Sequence, residues 1–105
     1  MATPRTALND PVKVDSKHYK VEFESNKVRV LRTTYGPHEK SVMHAHPDLI
    51  AVILTDAHAR FTLPDGKTEE VRLKAGQVLN FDAMEHLPEN LGNAPLEAIL
   101  VELKA

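Results

Sequence analysis

Six histidines occur in 105 residues, and two of them, His44 and His46, are separated by a single alanine. Side chains alternate with period two along a β-segment, so His44-Ala45-His46 presents both imidazoles on one face. Two neutral imidazoles side by side supply half of a transition-metal site. A third candidate, His86, lies 40 residues further on, beside Pro88 and four residues before Asn90. Spacing alone does not bring it to the pair, and in so histidine-rich a chain an H-x-H also reads as a solvated pair on an edge strand. His38 follows the Gly36-Pro37 turn and is expected near the mouth of any pocket, whereas His18 and His58 lie in polar surroundings and read as surface residues.

The elements that must position these residues are strands. Short β-branched runs recur at intervals of about ten residues, the pattern of an antiparallel sandwich or barrel, and predict about eight or nine strands. Val21 and Phe23 alternate with glutamates and Val28 and Val30 with Arg29, which predicts a hairpin with one wet face. Ser41 to His46 is stopped by Pro47-Asp48, and Leu49 to Leu54, without polar alternation, suits a strand buried on both faces. Pro64-Asp65-Gly66 turns a second hairpin, Gln77 to Phe81 forms another strand, and the last runs from Leu96 through Val101. Asp82 to Leu87 admits a competing short helix with Asp82 as its cap and Glu85 three residues into it. Residues 1–17 lack a period, with Pro4 and Pro11 set against a helix, and read as an arm that closes an edge strand or exchanges with a second subunit.

Composition narrows the function. The chain has no cysteine, so thiolate metal sites, disulfides and thiol nucleophiles are excluded. A net charge of -2 and an aromatic content of 5% speak against nucleic acid as a partner. The longest apolar run, Leu49 to Leu54, is far below the roughly 20 residues of a membrane helix. The first ten residues have no apolar core of a signal peptide, so a cytoplasmic location is expected. No Gly-rich phosphate loop is present, and Ser16, Ser25 and Ser41 carry no nucleophile-elbow motif. One domain over 1–105 accounts for the length.

Over about residues 21–103 the order of features resembles the cupin superfamily, small all-β antiparallel jelly-roll barrels, or double-stranded β-helices, that hold a metal inside. Gly36 followed by His44-Ala45-His46 resembles the first cupin motif, with two extra residues before the pair, and Gly76 followed by His86 to Asn90 resembles the second. Asp82 and Met84 stand where the second motif has proline and glycine, and that stretch is one residue short. The glutamate of the first motif is missing, since its place falls on Leu49, Ile50 or Ala51. The resemblance therefore implies a metal set reduced to His44, His46 and His86, as in the three-histidine cupins, among them diketone-cleaving and thiol dioxygenases.

Three imidazoles suit Fe, Zn, Ni, Cu or Co in the divalent state and leave a coordination position open. With no carboxylate among the ligands, a small anionic molecule would balance the charge. Asn90 is the first residue expected to orient a ligand imidazole, Tyr35 the one expected to line the pocket, and Asp48 and Glu39 the nearest carboxylates that could act as a fourth ligand or base. Glu85, next to His86, is expected on the opposite face. The reading is a metal-dependent oxygenase, isomerase or lyase acting on a small anionic molecule. A non-catalytic module that binds metal or a small molecule stands as the alternative, and a metal-free barrel as a third. A homodimer is expected from the resemblance.

Overall fold

A computed structural model describes residues 9–104 of the chain. Nine strands follow a one-turn helix: α1 (Pro11–Val14), β1 (Tyr19–Glu24), β2 (Val28–Tyr35), β3 (His44–His46), β4 (Leu49–Ile53), β5 (Ala57–Thr62), β6 (Thr68–Leu73), β7 (Val78–Phe81), β8 (Met84–Asn90) and β9 (Leu96–Leu103). They form two antiparallel sheets, one of order β1-β2-β9-β4-β7 and one of order β3-β8-β5-β6. The chain is all-β with the double-stranded β-helix arrangement expected from its motifs.

The core lies between the sheets. Leu31 of β2, Leu100 of β9, Ala51 of β4 and Leu79 of β7 are successive register partners and form one inward row. Tyr19, Tyr35, Leu49, Ile53 and Ala98 extend this core, while Ala59 and Leu73 close it from the second sheet. The PDGK turn forms as expected, with Gly66 at φ 87°, a left-handed conformation that a side chain would strain.

Two expectations fail and one competing reading drops out, each for an identifiable reason. The wet face assigned to the first hairpin is reversed in β2: Arg29, on the row of Leu31 and Thr33, points inward and is only 7% exposed. The opposite face carries the register-paired Val30, Val101 and Ile50, so apolar residues occupy both faces and alternation does not reveal which is the core. The competing helix at Asp82 to Leu87 is absent, because β8 pairs with both β3 and β5 and tertiary pairing outweighs a single cap. Pro11 does not prevent a helix. It occupies the first turn of α1, where its missing N–H would have no helical partner, and Asp10 caps that turn by accepting from Val12 N–H at 3.1 Å.

The expected arm is described only from residue 9, and its earlier part lies outside the described residues. From there it runs along the outside of β3, the edge strand of the smaller sheet, and Asn9 carbonyl accepts Ala45 N–H at 2.8 Å. No helix among the described residues is long and apolar enough to cross a membrane.

Candidate metal centre

Strand pairing supplies what spacing could not. In the β3–β8 ladder His44 faces His86 and His46 faces Met84, so the third imidazole lies over the pair. One nitrogen from each ring lies within 4.8 Å of the others. The ring centroids are 4.8 Å (His44–His46), 4.9 Å (His44–His86) and 5.3 Å (His46–His86) apart, and the ring planes are mutually near-perpendicular at 89°, 87° and 84°. All three side chains are buried.

Hydrogen bonds fix two of the rings. His44 Nδ1–H donates to Val42 carbonyl at 2.9 Å, with Ser41 Oγ 3.2 Å away, and His46 Nδ1–H donates to Glu102 Oε2 at 2.7 Å. In a neutral ring either bond leaves the lone pair on Nε2, where a metal can be taken. Glu102, 1% exposed, is itself held by Arg29 Nε at 2.9 Å, and Arg29 forks onto Asp10 at 2.9 and 3.0 Å. The ring of His86 rests edge-on against Phe61, with centroids 4.7 Å apart.

Among the described residues, His44 Nε2 and both nitrogens of His86 are buried without a hydrogen-bond partner. One such atom costs about 1–3 kcal/mol, so His44 Nε2 and one nitrogen of His86, in rings whose ligand nitrogens lie within 4.8 Å of each other, call for a group that satisfies both. Burial, reinforced by His46, pushes His44 down to about 3 and, with both neighbouring imidazoles, drives His86 well below the usual histidine range. Both rings are thus neutral at neutral pH, the form that binds a metal. Neutral nitrogen donors, lone pairs converging and no internal partner fit a divalent transition ion.

Beside the cluster lies a cavity of about 70 Å³ walled by His46, His86 and apolar side chains that include Leu49, Phe61, Phe81 and Leu100. Tyr19 and Tyr35 also line it, and their hydroxyls share a hydrogen bond of 2.6 Å. Burial raises the pKa of both, so they remain neutral phenols and can donate a hydrogen bond but do not act as bases.

The other residues singled out from sequence are placed elsewhere. Asn90 lies in the cavity wall but orients no imidazole: its amide donates to the carbonyls of Tyr35, Gly36 and Ala94 at 3.3, 3.1 and 2.9 Å, tying two loops together. His38 is exposed and bonded to Asn93 at 2.7 Å. Asp48 is exposed and accepts Ala83 N–H at 2.8 Å. Glu39 holds Lys17 at 2.7 Å, Gly36 N–H at 2.7 Å and His18 at 3.1 Å. Glu85 pairs in register with Ala45, on the side of β8 opposite His86. Among the described residues no carboxylate joins the three-histidine cluster, and Leu49 and Ala51, at the place of the missing glutamate, wall the cavity.

His18 is not a surface residue. It is 6% exposed, stacks on Tyr35 with ring centroids 4.3 Å apart, and bonds both Asp15 oxygens at 2.8 and 2.9 Å. His58 is half-buried and paired with Glu70 at 2.7 Å. Glu102, Arg29, Asp10 and Asp15 were not among the sequence candidates. The available signal was a charge on each inward row, Glu102 after Leu96, Ala98 and Leu100, and Arg29 before Leu31, Thr33 and Tyr35.

No protein-family model matches the chain, and no curated protein matches it. Solved structures do. A cupin domain from Bordetella pertussis is similar at 21% identity over 83% of this chain and 92% of that one, with a TM-score of 0.77. A conserved protein with a double-stranded β-helix domain from Klebsiella pneumoniae is similar at 22% identity over 81% and 74%, with a TM-score of 0.65. A predicted oxalate decarboxylase from Thermotoga maritima is similar at 30% identity over 75% and 69%, with a TM-score of 0.53.

Proposed function

The chain belongs by fold to the cupin superfamily, and from that premise we propose that it is a metal-dependent enzyme acting on a small anionic molecule with an apolar body. The observation that carries this reading is the convergence of three buried imidazoles, with His44 Nε2 and both His86 nitrogens lacking a partner in the described protein, beside an apolar cavity that His46 and His86 line. His44 and His46 would hold the ion through Nε2 and His86 through one of its two free nitrogens. A bound divalent transition ion supplies Lewis acidity and an open position for the anionic end of the substrate.

The protein's own side chains define the rest. Three neutral ligands leave the divalent charge unbalanced, so a carboxylate or enolate is preferred over a neutral molecule. The apolar wall excludes water and accepts a body of a few carbon atoms. Tyr19 and Tyr35 line the cavity as neutral phenols whose hydroxyls bond each other, and one hydroxyl proton of the pair would be available to an oxygen of the substrate. An oxygenase, isomerase or lyase is consistent with these roles, and the similar Thermotoga protein is named as a predicted oxalate decarboxylase, whose substrate shares the small anionic character though not the apolar body.

The scarcity of polar groups in the cavity favours one second reading, a module that binds metal and ligand without turning it over. Co(II)-loaded protein titrated with short-chain carboxylates and with a β-diketone tests the common part: a change in the visible spectrum is expected, and none with any of these anions would overturn the substrate class. Product formation under air and under nitrogen then separates enzyme from module. A homodimer belongs to the same reading, and light scattering on the full chain that gives one chain's mass would remove it.

A further inference from the structure

Three consecutive residues of β3 are each tied to one short segment, Asn9–Asp15. In the middle, Asn9 carbonyl takes Ala45 N–H at 2.8 Å. From the start of the segment, Asp10 forks onto Arg29, Arg29 Nε donates to Glu102 at 2.9 Å, and Glu102 accepts His46 Nδ1–H at 2.7 Å. From its end, Asp15 accepts the Ser41 hydroxyl, and Ser41 Oγ lies 3.2 Å from His44 Nδ1. His18, sandwiched between Asp15 and Glu39 and stacked on Tyr35, holds Asp15 in place.

The geometry explains why this segment is helical. Five residues at about 1.5 Å rise span roughly 7 Å, close to the separation of two residues one alanine apart on a strand, whereas an extended segment would overshoot by about twofold. A helix of one turn has no stability of its own in water, so its shape is imposed by these ties and in turn keeps them in register. Only His86 is left outside this arrangement.

We propose that residues 9–15 form a two-ended clip that sets the metal affinity of the site, with Asp10, through Arg29 and Glu102, a positioning residue for His46 and Asp15, through Ser41, a positioning residue for the orientation of His44, whose tautomer the Val42 carbonyl sets. The inference rests on the proposed metal centre. It assigns a function to the segment before the barrel, and it makes that affinity responsive to whatever loosens the segment.

The test is Co(II) titration of the chelator-stripped full chain, read by visible absorption, for wild type, Asp10→Asn, Asp15→Asn, the double variant and Lys13→Ala. Asparagine keeps size and the capping acceptor at position 10 while removing the charge. Each single variant is expected to weaken Co(II) binding several-fold and the double variant about tenfold to a hundredfold, with altered ligand-field bands. Lys13→Ala, exposed on the same turn, is expected to match wild type. Ser41→Ala, which cuts the Asp15 tie without touching the helix, gives the same reading should an aspartate variant fail to fold. A wild type that binds no Co(II) defeats the metal centre itself. A wild type that binds, with folded variants of identical affinity and spectrum, defeats the clip alone.

Discussion

Replacing Glu102 by glutamine changes no volume and removes one charge, yet it should affect both stability and the metal centre. Glu102 is 1% exposed and, among the described residues, accepts from His46 Nδ1–H at 2.7 Å and Arg29 Nε–H at 2.9 Å. A glutamine has one carbonyl oxygen and one NH₂. If the oxygen faces His46, the amide protons oppose Arg29 Nε–H. If it faces Arg29, they oppose His46 Nδ1–H and drive that ring to the tautomer protonated at Nε2, which cannot bind metal. One charge-assisted hydrogen bond is lost in either case, worth about 1.5–3 kcal/mol. Breaking a buried pair outright costs about 3–5 kcal/mol, but Arg29 keeps its fork on Asp10, so a loss of about 2–3 kcal/mol is expected for metal-free Glu102→Gln. Metal affinity is expected to fall about tenfold to a hundredfold. Urea denaturation of the metal-free protein measures the first, and Zn(II) competition against a chromophoric chelator the second. A variant within about 0.5 kcal/mol of wild type, with unchanged Zn(II) affinity, would refute the argument that this carboxylate fixes His46.

The metal-free protein should lose stability in acid. Burial holds His44 near 3 and His86 well below its usual value, so below about pH 6.5 the unfolded chain takes up two protons that the folded chain refuses. Stability is therefore fully present above that pH and falls by about 3 kcal/mol per unit as pH drops toward the folded values, and urea midpoints that stay flat from pH 7 to 5 would contradict this. Asn90→Ala leaves three carbonyls and Gly92 N–H without their partner and should cost about 2–3 kcal/mol by denaturation, with metal stoichiometry unchanged. A loss of metal in that variant would return Asn90 to the site. Ala98→Val, which narrows the cavity wall, should weaken anion binding to the Co(II) form while leaving Co(II) affinity as in wild type, and unchanged anion binding would place the ligand elsewhere.

The legibility of the molecule divides along local and long-range lines. That His44 and His46 share a face follows from strand alternation, and the turn at Pro64-Asp65-Gly66 follows from residue chemistry, so both were readable from a few neighbouring letters. That His86 meets the pair depends on the β3–β8 register, and the motif resemblance rather than any spacing pointed to it. Arg29 and Glu102, 73 residues apart, were unreadable as a buried pair because each sits in a strand whose other face is equally apolar. His18 was misread because Ser16, Lys17 and Lys20 around it are polar, while its burial comes from Tyr35, Asp15 and Glu39 reaching it through the fold. Loop residues near a motif in sequence, such as Asp48 and His38, found partners in other loops instead.

Elemental analysis of untagged protein purified without chelator, beside His44→Ala and His86→Ala, is the direct test of the three-histidine metal centre. Close to one divalent transition ion per chain is expected in wild type, with loss of that ion in both variants, because each removes a ligand from a different strand. Wild-type protein that carries no metal, even after anaerobic incubation with Fe(II) and then Zn(II), or variants that retain it, would contradict a three-histidine metal centre.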